Sequence, residues 1–106
     1  MFSLFRQKWT AYSYKRNDLN IIEKIRAETF NEIIEHYRSQ GWEQTDAFRP
    51  FDANSQKWTC KLRKGSQTLY CVWRYQSGGS ISGMSRIIQS MGAQYSLKVC
   101  QAPSKG

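Results

Sequence analysis

The chain has 106 residues, enough for one domain with its own core and too few to stabilise two. Forty per cent of the residues are hydrophobic and 14% are aromatic, which excludes a disordered polymer despite a formal net charge of +8. No stretch nears the roughly 20 apolar residues of a membrane span. The start, Met1-Phe2-Ser3-Leu4-Phe5, meets Arg6 before a signal-peptide core can form, so a cytoplasmic protein is expected.

In chain order, Phe2, Phe5, Trp9 and Tyr12 fit a helical stripe, while Trp9 to Tyr14 has strand-like composition, and both readings stay open. With Arg6, Lys8, Lys15 and Arg16, residues 2–16 could also touch an anionic membrane surface peripherally; packing on the domain's own core is the plainer expectation. A helix is expected from Asn17 or Asp18, either of which can cap it, to about Gln40 before Gly41. Ile22, Ile25, Thr29, Phe30, Ile33 and Tyr37 supply its core-facing stripe, and Glu23, Glu28, Glu32 and Glu35 make its outer face acidic.

Trp42 to Arg49 reads as a first strand, stopped by Pro50 and followed by the turn-rich Asp52-Ala53-Asn54-Ser55. Lys57 to Lys64 and Gln67 to Tyr75 flank Gly65-Ser66, whose leading glycine suits a two-residue type II′ hairpin. That register pairs Trp58 with Trp73, Cys60 with Cys71 and Leu62 with Leu69 on a core face. The opposite face then carries Lys57 beside Arg74, Thr59 beside Val72, Lys61 beside Tyr70 and Arg63 beside Thr68. A slip by one residue would break both patterns together.

After Gln76-Ser77-Gly78-Gly79, Ser80 is expected to cap a short helix reaching about Met91 and ended by Gly92. Gln94 to Gln101 then reads as a last strand, in which Lys98 joins the polar face, and residues 102–106 as a frayed tail. The fold expected is α+β in one domain spanning 1–106. Its antiparallel sheet has three to four strands with one long and one short helix packed on one face. The order is N-terminal segment, α, β, β, β, α, β.

Charge carries the functional signal, because all eight acidic residues lie between Asp18 and Asp52 and nothing after Asp52 is acidic. Such segregation points to a polyanionic or acidic partner. The sharpest candidate site is therefore the basic sheet face of Lys57, Lys61, Arg63, Tyr70 and Arg74, with Lys98 if the last strand joins. Lysine and arginine neutralise phosphates and release counterions, and an exposed tyrosine can stack on a base. The plain alternative is that alternating Lys, Thr and Arg is how an antiparallel strand meets water.

The other candidates are weaker. Gly78 to Ser85 has the glycines of a phosphate loop, but Met84 stands where the lysine belongs and no later carboxylate could hold magnesium, which argues against nucleotide hydrolysis. Free amides at that helix start, with Ser80, Gly83 and Arg86, could still hold a phosphate. His36 is the single histidine and has no partner histidine for a metal site. Cys60, Cys71 and Cys100 fit neither a disulfide framework nor paired zinc ligands; reduced thiols are the default, although Cys60 and Cys71 oppose each other within disulfide range. No metal and no cofactor is expected.

The expected order helix, three strands, helix is similar to that of a double-stranded-RNA-binding domain, and a four-stranded sheet with aromatics is similar to an RNA recognition motif. Gly79, Ser80 and Ile81 stand where the former carries basic residues, and Lys64-Gly65-Ser66-Gln67 lacks the aromatic and glycine spacing of the latter, so no family is assigned. The function expected is a small non-enzymatic module that contacts nucleic acid or another polyanion, such as an acidic protein, through its basic face. The alternative is a homodimeric protein–protein interaction domain.

Overall fold

The computed structural model describes residues 18–47 and 49–103. Expectations for residues 2–16 and the end of the tail lie outside them. The described chain is α+β, with two helices on one six-stranded, fully antiparallel sheet. In sequence these are β1 (Leu19–Ile25), α1 (Ala27–Ser39), β2 (Glu43–Thr45), β3 (Lys57–Lys64), β4 (Gln67–Arg74), β5 (Gly78–Met84), α2 (Ser85–Tyr95) and β6 (Val99–Cys100). The spatial order is β2-β3-β4-β5-β1-β6, so β2 to β5 form a meander. Helix α1 carries the chain from β1 to the far edge at β2, and α2 carries it from β5 over β1 to β6.

The hairpin matches expectation residue by residue, from Lys57 with Arg74 to Lys64 with Gln67. Gly65 has φ +61°, whereas Ser66 is not among the residues of positive φ; one such residue at the first central position is the type II′ pattern. Trp58, Cys60, Leu62, Leu69, Cys71 and Trp73 are all buried beneath the helices.

The expected long helix is instead a strand followed by a shorter helix. Ile22 pairs with Ile81 and Ile25 with Gly79, so β1 holds one more residue than β5 between these pairs. Lys24, at φ +58°, absorbs the extra residue in a bulge. The bulge returns Ile25 to the core side three positions after Ile22, which imitates the spacing of a helix. The true helix α1 is capped by the extended backbone of Arg26 with no side-chain bond, and it buries Phe30, Ile33 and Ile34. The first meander strand likewise covers Glu43–Thr45 rather than Trp42 to Arg49.

The second correction concerns Gly78–Met84, expected as a loop and helix start but found as β5 in mid-sheet. Its small residues are required by close packing. A methyl group on Gly79 would overlap the Phe30 ring, and one on Gly83 would meet Leu69 Cδ2 at 2.6 Å. Helix α2 accordingly starts at Ser85 and passes through Gly92, which sits against Val99 and Leu97, to a left-handed cap at Ser96. Gln94 and Tyr95 belong to that helix, and the last strand shrinks to Val99–Cys100.

One core cluster joins Ile22 and Ile25 of β1 with Phe30 and Ile33 of α1, the hairpin's inner residues, Ile81 of β5, and Ile88 and Met91 of α2. The connection between β2 and β3 closes one end of it. Phe51 stands 5.3 Å from both the Trp58 and Trp73 rings and 5.2 Å from Phe30, centroid to centroid. The indole N–H groups of Trp58 and Trp73 donate to the carbonyls of Arg49, at 2.9 Å, and Ala53, at 3.0 Å. Both buried indoles thus keep a partner for their polar atom. At the other end, Asn20 Oδ1 accepts from Ser85 Oγ at 2.6 Å and Gln89 Nε2 at 3.1 Å, fastening β1 to the first turns of α2.

Candidate nucleic-acid interface

Because side chains alternate across a sheet, whatever lies between the buried residues of β3 and β4 faces away from both helices. Four cross-strand rows result, three of which carry cations; the fourth is Thr59 with Val72 and Ser80. Arg63 lies between Glu43 and Thr68; Lys61 lies between Thr45 and Tyr70; and Lys57 faces Arg74, with Gly78 beyond. Four cations and a tyrosine therefore share the outer face of one hairpin. The exposed carboxylates Glu28, Glu32 and Glu35 sit on α1, which covers the other face. The cations thus concentrate on the hairpin's outer layer and three exposed carboxylates on the helix layer, with Glu43 and Asp46 bordering the cationic face.

The Lys57–Arg74 pair is the most telling. Counted from the turn, it is a pair without mutual backbone hydrogen bonds, the type in which side chains stand closest. Like charges placed so oppose folding by a few tenths to about 1 kcal/mol. Among the described residues, Lys57, Arg63 and Arg74 form no ion pair. Arg49 joins them: the connection that seals the tryptophans sets it beside Lys57 at an open cleft of about 390 Å³, which Asp46 also lines. No sequence pattern foretold Arg49, because only the path of that connection brings it there.

Lys61 is held differently. The chain leaves β2 through Asp46 at φ +59°, and this turn sets its carboxylate 3.1 Å from Lys61 Nζ, which also stands 5.7 Å from the centre of the Tyr70 ring. Both partners are substantially exposed, so the pair is worth at most about 1 kcal/mol, and a phosphate competing for Lys61 can displace Asp46 cheaply. Lys64 is committed elsewhere, donating to the Gln40 carbonyl at the end of α1 at 2.8 Å.

Exposure falls across the Tyr70 row. Tyr70 is 49% exposed, Ser82 is half-buried and Ile21 is 6% exposed, so the open part of the face is its β3–β4 half. Tyr75, just beyond β4, is 62% exposed, but its backbone N–H still donates to the Gln56 carbonyl in register, so by alternation it belongs to the side of Trp73 and not to this face. Lys98 does not join this group. It precedes β6 at the opposite edge, with β4, β5 and β1 between it and the cations of β3. The proposed phosphate-binding helix start also dissolves: Ser80 and Gly83 belong to β5, while Arg86 lies exposed in the first turn of α2.

The remaining candidates have structural surroundings. His36 lies between the helices, beside the rings of Tyr37 and Tyr95 and 3.4 Å from Gln94 Nε2. Among the described residues, no three His, Cys, Asp or Glu side chains converge as a metal site would require. Cys60 and Cys71 oppose each other as free, buried thiols, and Cys100 is half-buried. The hydrogen bond between the first two, reinforced by burial, holds the Cys71 proton on and pushes that thiol well above its ordinary range. No helix among the described residues is long and apolar enough to cross a membrane. Compared with protein-family models, curated proteins and solved structures, the chain matches none of them.

Proposed function

We propose that this chain is a small non-enzymatic binding module that contacts nucleic acid or another polyanion through the outer face of the β3–β4 hairpin. The observation that carries this reading is the gathering of Lys57, Lys61, Arg63 and Arg74 on one open face, with the acidic helix on the other. Their ammonium and guanidinium groups would neutralise phosphates and release counterions, which gives affinity with little base specificity. The free thiols agree with a reducing compartment, and we place the protein in the cytoplasm.

With about four phosphates engaged, affinity for DNA should fall about a hundredfold between 50 and 200 mM salt. Lys57→Glu with Arg74→Glu should abolish most binding to DNA and heparin, measured by fluorescence anisotropy. Unchanged affinity in that double variant would show the face to be wrongly assigned. A homodimeric interaction domain is the alternative. Its support is that an acidic helix and a basic sheet face on one molecule are self-complementary, so two copies related by a two-fold axis could pair each other's charges. Light scattering separates the two: a salt-resistant dimer indifferent to heparin favours the second.

A further inference from the structure

Resting on the polyanion reading above, we propose that the face is built for single-stranded nucleic acid, with unpaired bases stacking on Tyr70. A ligand held by charge alone has no use for an exposed aromatic in the middle of the cations, yet Tyr70 is 49% exposed there. Ser82, directly across from it on β5, is too small to cover the ring.

The cations bracket this tyrosine along the strands. Arg63 is two positions from Lys61, which faces Tyr70, and Lys57 with Arg74 lies four positions the other way. At about 3.4 Å per residue the cationic track is roughly 20 Å long. That length suits the short end of the roughly 4–16-nucleotide sites of single-strand-binding folds.

Such sites combine a positive track for the backbone with aromatic side chains for the bases, and both are present in register here. A duplex keeps its bases stacked inside and offers Tyr70 only sugar and phosphate unless a base is flipped out at a cost. The Lys61 ammonium, 5.7 Å from the ring centre, fits the same scheme: it can pass from Asp46 to an incoming phosphate while the ring receives a base.

The test uses the full chain and five labelled or competing probes at 50 mM salt. They are a dodecamer of deoxythymidine, a dodecamer of uridine, an abasic single strand of equal length, a blunt twelve-base-pair duplex and heparin. One of the pyrimidine strands, or both, should bind at least about tenfold tighter than the duplex or the abasic strand. Tyr70→Ala should weaken that binding about tenfold, Tyr70→Phe should retain it, and heparin affinity and the salt slope should stay as they are. Thermal melting checks that Tyr70→Ala remains folded.

If the duplex or the abasic strand binds as tightly as the pyrimidine strands, or if a folded Tyr70→Ala binds them like wild type, stacking is refuted while heparin binding keeps the polyanion reading alive. If no probe binds, heparin included, both readings fall together.

Discussion

The two faces of the β3–β4 hairpin are made by the same sixteen strand residues, yet they answer to different demands. Inward, Trp58, Cys60, Leu62, Leu69, Cys71 and Trp73 are at most 6% exposed, and the indole N–H groups are satisfied by carbonyls from another segment. Outward, Lys57 and Arg74 stand opposed with no ion pair among the described residues, and Lys61 keeps only a weak, exposed partner. The inner face holds the fold together. The outer face accepts an electrostatic cost that stability does not require.

The largest expected effect that tests this contrast is on the inner side. Trp73→Ala removes a buried ring packed against Phe30 and Phe51 and strands the Ala53 carbonyl, so urea denaturation should show a loss of about 3–5 kcal/mol. A loss below about 1 kcal/mol would mean that the tryptophan pair does not anchor the core.

A subtler inner-face effect is the response to alkali. Cys71 has its folded-state pKa raised, first by its hydrogen bond with Cys60 and then by burial, and burial raises Tyr37 as well. The unfolded chain therefore releases these protons first as pH rises. The stability they contribute is complete below the ordinary thiol pKa of about 8.5 and declines above it. Cys60, lowered by the same hydrogen bond, loses its proton first in the folded chain and works the other way below that range, so denaturation midpoints should hold or rise slightly up to about pH 8 and fall above about 9. In Cys71→Ala the fall should be shallower, and an identical alkaline limb would refute the assignment to this thiol.

The smallest effect on stability belongs to the outer face. Lys57→Thr relieves the opposition to Arg74 and should leave stability within about 0.5 kcal/mol of wild type or slightly higher, while polyanion affinity drops. If the substitution instead destabilises the protein by more than 1 kcal/mol, Lys57 has a structural role and the contrast between the faces is lost.

Much of this hairpin was legible before any coordinates, because two periods agreed. The buried residues alternate with Lys57, Thr59, Lys61 and Arg63 before Gly65-Ser66 and with Thr68, Tyr70, Val72 and Arg74 after it, and a slip of one residue would ruin both faces. The acidic face of α1 and the helix end near Gly41 were legible for similarly local reasons. Ile22 and Ile25 misled because a bulge at Lys24 reproduces helical spacing within a strand. Gly78–Met84 misled because its pattern is set by distant partners: Phe30 and Leu69 fill the space that side chains on Gly79 and Gly83 would need.

What the amino-acid order alone determined was thus the charge segregation, the hairpin register and the residues of each hairpin face, all consequences of short-range alternation. Tertiary structure decided where β1 and β5 lie, placed Lys98 at the far edge, brought Arg49 beside Lys57 and gave Lys61 its partner in Asp46. These depend on close packing and on the path of a connection between β2 and β3, which no local period encodes.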